Sequence, residues 1–205
     1  MAKLSEEQKL ARRLQILNAG WRCFDRNGLH ATRMDDIIAE AGLSAGAVYS
    51  YFKNKDDLVQ AALTTSMKGL AERLRPMLEC DDPAPPAVLL EDIASAIEAF
   101  TKRDGFDLKR IALLGWAESQ RDEKLKGIMR AFYDAFLAQF MGCIARWKAA
   151  GVLNGSADTE PLARALLALL LGYTVQAAVV GGINPSILRQ GMEELASMVS
   201  KSNPA

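Results

Sequence analysis

A chain of 205 residues, 50% hydrophobic and 24% charged, has enough apolar mass for one substantial core or for a small head joined to a larger body. Its 25 basic and 25 acidic residues cancel to a formal net charge of +0, which excludes attraction to a polyanion by bulk charge and leaves only local placement. The three cysteines, Cys23, Cys80 and Cys143, form no CxxC pair, so neither a disulfide framework nor a zinc spacing is present and a reducing cytoplasm is expected. The opening MAKLSEEQKLARR grows more charged where a secretory signal would turn apolar.

The first predicted helix is apolar and closes after Phe24 at Asn27-Gly28, with Cys23 expected inside it. Thr32 is read as the cap of a second helix, with Asp35 three residues on in the place of a capping-box Glu, and Ile37, Ile38 and Ala41 as its apolar face. Gly42 supplies a left-handed stop. Leu43 then packs inward, Ser44 caps a third helix, and Ala47, Val48, Tyr51 and Phe52 anchor it, leaving Ala45, Gly46, Tyr49 and Ser50 outward. Two short helices joined this way present the second to a major groove. Arg12, Arg13, Arg22, Arg26, Arg33, Lys53 and Lys55 cluster in or near this head, partly offset by Glu6, Glu7, Asp25, Asp35 and Asp36.

At these residues the chain resembles a TetR-type transcriptional regulator. The resemblance spans Leu14 to Leu58 and rests on Asn27-Gly28, Ala31-Thr32, Met34-Asp35-Asp36-Ile37, Ala41-Gly42-Leu43-Ser44, Val48-Tyr49, Tyr51-Phe52, Lys53 to Lys55, and Leu58. It implies an all-α fold: a helix-turn-helix DNA-binding head over residues 1–55 and a helical effector-binding and dimerisation body over 56–205. It further implies phosphate contacts from Thr32, Tyr49, Lys53 and Lys55, and base reading by Arg33, Ser44, Ala45, Gly46, Ser50 and Tyr51. Phosphate contacts set register, and base contacts choose sequence.

Beyond Lys55 the pattern stays helical. A connecting helix is expected from Asp56 to about Leu74, ending near Pro76, then a loop over DDPAPPA at 81–87. Helices follow over Val88 to Lys102, Leu108 to Ser119 after a break at Asp104-Gly105, Asp122 to Ala150, Thr159 to about Val180, and Pro185 to Ser200. Ala165 to Ile183 is nearly uncharged and about long enough to cross a bilayer, but Tyr173, Thr174 and Gln176 interrupt it and no basic flank orients it. Burial against the last helix, with Ile187, Leu188, Met192, Leu195 and Val199 at helical spacing, and against a second copy is the preferred reading. The expected two-fold homodimer interface holds Leu166, Leu170, Ala177, Leu188, Met192 and Leu195.

Gly42-Leu43-Ser44-Ala45-Gly46 matches the GxSxG nucleophile elbow in letters, but that elbow needs a strand before its serine and a histidine after it. Here the only histidine, His30, precedes it. No metal cluster or phosphate loop offers another chemistry, and no enzyme, cofactor or metal is expected. Bulky and adaptable side chains in the body, taken with the resemblance, predict a cavity for a small, mostly apolar effector lined by Met67, Phe100, Trp116, Met129, Phe132 and Phe136. Tyr173 and Gln176 are its expected polar hooks. The expected function is a cytoplasmic homodimeric repressor released from a palindromic double-stranded operator by that effector, with the connecting helix as lever. The alternative is an architectural DNA-binding protein without effector control.

Overall fold

The computed structural model describes the backbone of residues 5–103 and 105–201; the first residues of the signal reading, Asp104 of the expected break and the Val199 side chain lie outside the described residues. Within them the chain forms nine helices and one short hairpin: α1 (Glu6–Ala31), α2 (Met34–Ala41), α3 (Ala45–Tyr49), α4 (Lys55–Leu78), α5 (Pro86–Thr101), β1 (Lys102–Arg103), β2 (Phe106–Asp107), α6 (Leu108–Ser119), α7 (Glu123–Ala149), α8 (Thr159–Val179) and α9 (Ser186–Lys201). The all-α expectation therefore holds. The chain packs as two units, one running to Lys68 and resuming over Lys102–Lys126, the other comprising Gly69–Thr101 and the chain from Gly127 onward. This packing division differs from a single cut after residue 55, because α6 belongs with the head.

In the first unit, α1 begins with a reciprocal capping box: Ser5 Oγ accepts from the Gln8 amide at 3.1 Å and the Ser5 amide donates to Gln8 Oε1 at 2.9 Å. Regular helix breaks at Gly28, at φ 78° and ψ 167°, where a side chain would be strained. Ile16, Leu17, Trp21 and Phe24 face inward with Ile37, Val48, Phe52 and Leu58. α1 approaches α4 closely at Gly20, where an added Cβ would lie 2.7 Å from Leu58 Cδ2. Cys23 is buried as expected, and burial pushes its thiol up despite Arg26 nearby.

Two boundaries differ from expectation in an instructive way. α4 continues through Pro76 to Leu78, since a proline in a final turn forfeits one amide bond while the following turn still closes, with the Glu79 amide on the Arg75 carbonyl at 2.9 Å. Pro86, expected in the loop, opens α5, a first position at which its missing amide costs nothing. β1 and β2 pair antiparallel, Lys102 opposite Asp107 and Arg103 opposite Phe106, a feature too short to leave a period in the sequence.

The second unit closes over Leu74 and Leu78 of α4, Leu89, Leu90, Ile93 and Ile97 of α5, Phe136, Phe140, Ile144 and Trp147 of α7, and Leu166, Leu170, Tyr173 and Ala177 of α8. Each such burial contributes about 1.5–3 kcal/mol. Trp147 Nε1 donates to the Ala84 carbonyl at 3.0 Å, which fastens the 81–87 loop to the core. α8 is long and apolar enough to cross a membrane, with only 22% of its most apolar window buried. Leu169, Val179 and Val180 remain exposed at 39%, 69% and 73%, as do Ile187, Leu195 and Met198 of α9 at 55%, 61% and 64%.

Candidate nucleic-acid interface

α2 stops in a Schellman arrangement. Gly42 stands at φ 63° and ψ 32°, its amide donating to the Ala39 carbonyl at 3.1 Å, while the Leu43 amide reaches back to Ile38 at 3.4 Å. Gln15 of α1 donates to the Ala41 carbonyl at 2.8 Å, so the turn is fastened to α1 as well. Ser44 then caps α3, its Oγ accepting from the Ala47 amide at 3.3 Å. Val48 and Phe52 are buried, which rotates Ser44, Ala45, Gly46, Tyr49 and Ser50 to the solvent side, with Tyr51 half-buried. Helix α2 leads into Ser44 where the nucleophile elbow would need a strand.

Thr32 requires correction. Its side chain is 1% exposed and its hydroxyl donates to the Gly28 carbonyl at 2.7 Å and the Cys23 carbonyl at 3.2 Å, so it neither caps α2 nor offers its hydroxyl to a phosphate. The cap position falls to Arg33, whose amide donates to Asp36 Oδ2 at 2.8 Å. That is half of a capping box, since a guanidinium carries no acceptor. Lys55 is also redirected: its ammonium donates to the carbonyls of Leu29 at 2.9 Å, Thr32 at 3.1 Å and His30 at 3.3 Å, using three donors on the backbone. Arg33 and Lys53 are exposed. Ser50 Oγ donates to the Ala47 carbonyl at 2.7 Å, which leaves its lone pairs to accept from a base amino group.

Glu40 is a positioning residue the sequence reading missed. Arg22 Nε and Arg26 Nη2 hold its two oxygens at 2.6 and 2.9 Å, joining α2 to α1. Hydrogen bonds from Arg22 and then Arg26 keep the Glu40 carboxyl below the usual carboxylate range. Arg22 and Arg26 sit four apart on one helix face, a spacing that could have announced a shared acidic partner. Arg13 lies over the Phe52 ring at 5.4 Å.

The expected effector residues divide between the units. Met67 and Trp116 belong to the first; Phe100, Met129, Phe132, Phe136, Tyr173 and Gln176 belong to the second. Phe132 stacks on Phe136 at 5.9 Å between ring centres, and together with Ala71, Leu78 and Ala135 they line a cavity of about 110 Å³ whose polar members are Arg75, Glu79 and Gln139. Met129 is buried in packing. Tyr173 is 2% exposed, and its hydroxyl meets Glu98 Oε1 at 3.2 Å and the Ile183 carbonyl at 3.3 Å. Burial, then the Glu98 charge, drives its phenol upward. Gln176 is exposed and does not line the cavity at Phe132 and Phe136.

The dimer set also needs correction. Leu166, Leu170 and Ala177 point into the protomer's own core, because α5 and α7 claim that side of α8. Leu188 and Met192 are half-buried against the same core, and Leu195 alone of the expected set stays exposed. Exposed apolar side chains here are Leu169 and Val179 of α8, Val180 directly after it, and Ile187, Leu195 and Met198 of α9.

Two short helices joined by a glycine turn, the second capped and facing outward, define a helix-turn-helix DNA-binding protein. Residues 16–62 match the family model for bacterial regulatory proteins of the tetR family, and residues 89–198 match that for the C-terminal region of BetI-type transcriptional repressors. The chain belongs to the TetR family of transcriptional regulators. It is 30% identical over 141 residues to the HTH-type transcriptional regulator YfiR of Bacillus subtilis, covering 67% of this chain and 66% of that one. It is 31% identical over 128 residues to the HTH-type transcriptional repressor Rv1474c of Mycobacterium tuberculosis, covering 58% and 63%. The chain thus spans just under two thirds of the length of these curated relatives. A transcriptional regulator from Saccharomonospora viridis, solved in complex with choline, superposes with a TM-score of 0.75 at 26% identity over 93% of this chain and 97% of its own. Proteins of this family are transcriptional regulators and not enzymes.

Proposed function

We propose that this protein is a cytoplasmic homodimeric repressor that reads a two-fold symmetric operator and is released from it by a small, mostly apolar effector. The observation that carries the reading is the outward face of α3: Ser44, Ala45, Gly46, Tyr49 and Ser50 are exposed together while Val48 and Phe52 hold the helix from behind. Arg33, Ser50 and Tyr51 read base edges, Tyr49 and Lys53 hold phosphates, and the bare Ala45 and Gly46 let the backbone approach a thymine methyl. The functional head is residues 1–55 and the body 56–205.

One head alone binds weakly, and two heads on a two-fold axis read two half-sites. The exposed apolar side chains of α8 and α9 supply the dimer surface, since apolar faces of that extent are normally covered. The apolar-lined cavity at Phe132 and Phe136 supports an effector site, as does the choline bound by the S. viridis relative. An effector that prefers heads misplaced for successive grooves weakens DNA binding by the factor by which DNA weakens the effector. α4, which starts beside the helix-turn-helix and ends in the body core, is the lever.

The test is selection of random duplex DNA by the purified protein at physiological salt with nonspecific competitor. Enrichment of one two-fold symmetric site supports the reading. Salt-sensitive binding without enrichment favours an architectural protein without effector control.

A further inference from the structure

Cys80 and Cys143 stand 63 positions apart in the chain, yet both sulfurs serve the same end of α4. Cys80 Sγ donates to the Met77 carbonyl at 3.3 Å and Cys143 Sγ to the next carbonyl, Leu78, at 3.4 Å. Both sulfurs therefore stand at the C-terminal end of α4, and the Cys80 thiol lies near enough for its charge to act on Cys143. Arg146 serves the same carbonyl: its Nη2 donates to the Leu78 carbonyl and lies 3.4 Å from Cys143 Sγ, while its buried Nε has no hydrogen-bond partner among the described residues. The guanidinium draws the Cys143 thiol toward its thiolate, against the larger upward push of burial.

We propose that Cys80 and Cys143 are a redox-active pair that closes to an internal disulfide in the presence of a peroxide, and that closure lowers operator affinity by displacing the end of α4. The operator clause rests on the function proposed above; the disulfide clause does not. Cys80 is partly exposed and Cys143 fully buried, which assigns the order of events. The Cys80 thiolate attacks one peroxide oxygen, the O–O bond breaks, and Cys80 becomes a sulfenic acid while hydroxide leaves and takes a proton as water. Cys143, giving up its proton beside Arg146, attacks the Cys80 sulfur; the S–O bond breaks, the S–S bond forms, and the oxygen leaves with that proton as a second water. Two thiols lose two electrons and one peroxide becomes two waters.

Closure requires a sulfur–sulfur bond of about 2.05 Å, so both sulfurs must leave the carbonyls they now serve. The last turn of α4 then keeps Arg146 as its side-chain donor, and its end must shift. Cys80 lies in a bend whose neighbours Glu79, Asp81 and Asp82 are exposed, while the core side chain of Leu78 in the last turn of α4 is the one the shift disturbs. Burial pushes the Cys143 thiol up and Arg146 pulls it back, which suits a resolving thiol that reacts only with an adjacent sulfenic acid.

The experiment treats the reduced full-length protein with stoichiometric hydrogen peroxide, alkylates remaining thiols after denaturation, and maps peptides. The expected product is a monomeric chain lacking two hydrogens, with one cross-linked peptide pair joining Cys80 to Cys143 and Cys23 still alkylated. Cys143→Ala should stop at a sulfenic acid on Cys80 that dimedone traps, and Cys80→Ser should remain fully alkylatable. A pair linked between two chains, or full alkylation of both thiols after treatment, overturns the disulfide. On a selected operator the oxidised protein should bind roughly fivefold or more weakly, recovering with dithiothreitol. Unchanged affinity of the mapped disulfide form overturns the coupling alone, and failure to select any operator refers back to the proposed function, since the peptide map does not depend on DNA.

Discussion

The Lys55 ammonium stands 2.9 Å from the Leu29 carbonyl and 3.1 Å from that of Thr32, so one side chain at the start of α4 holds both the final turn of α1 and the residue leading into α2. Helix ends leave carbonyls without partners, and Lys55 supplies donors to three, those of Leu29, His30 and Thr32. Replacing it removes the clasp without removing the outward face of α3. Lys55→Ala should cost about 1–3 kcal/mol of stability by chemical denaturation. It should weaken binding to all sequences alike while leaving the salt slope unchanged; a slope smaller by about one would instead mark Lys55 as a phosphate contact.

Glu40 gives a pH test. Its carboxyl is held low by Arg22 and Arg26, so protons bind the unfolded chain more readily than the folded one at this site. The stabilisation is complete above the ordinary glutamate range, near pH 4.3, and is lost as pH falls through the lower folded value. Glu40→Gln should therefore be less stable than wild type near neutrality, and the gap should narrow as urea unfolding curves are taken to pH 3. A gap constant across that range would show that the pairs with Arg22 and Arg26 contribute nothing.

Tyr49 is 46% exposed, whereas Val48 on the adjacent position is fully buried. Tyr49→Ala should lower operator affinity roughly tenfold, equivalent to about 1.4 kcal/mol, with no change in melting temperature. Val48→Ala should reverse that profile, losing about 1–3 kcal/mol of stability through the cavity it leaves. Fluorescence anisotropy beside thermal melts separates the two.

Ser50 donates its proton to Ala47 and can only accept from a base. Ser50→Ala should change the preferred sequence in a repeated selection and leave the salt slope untouched. An identical enriched site would remove Ser50 from base reading.

The exposed apolar side chains of α8 and α9 make the dimer testable one residue at a time. Leu195→Asp, on a side chain 61% exposed in the protomer, should leave the fold intact by circular dichroism. It should convert a sedimenting dimer to monomer at micromolar concentration, because a carboxylate cannot be buried unpaired in an apolar contact. Leu166→Asp should instead unfold the protomer, since Leu166 is 2% exposed within its own core.

Much of the head is legible from residues alone because its signals are local. Gly42 after Ala41, Ser44 before Ala45, and the buried pair Val48 and Phe52 act within one or two turns, and the structure places each as expected. Thr32 misleads because a threonine before a helix satisfies the same local rule whether its hydroxyl caps forward or, as here, turns back to Gly28 and Cys23. The partners Glu40 with Arg22, and Tyr173 with Glu98, lie 18 and 75 positions apart and leave no period to read.

Sequence alone determined the helical class, the helix-turn-helix head with its outward residues, and the long apolar helix that needs cover, since capping, turn chemistry and hydrophobic period are properties of neighbours in the chain. Tertiary structure decided which side of that helix the protomer keeps for itself, where Lys55 and Thr32 direct their polar atoms, and that Cys80 and Cys143 meet at one helix end. Those outcomes depend on which distant elements pack together, and a helical stripe records that a face must be buried without recording by what.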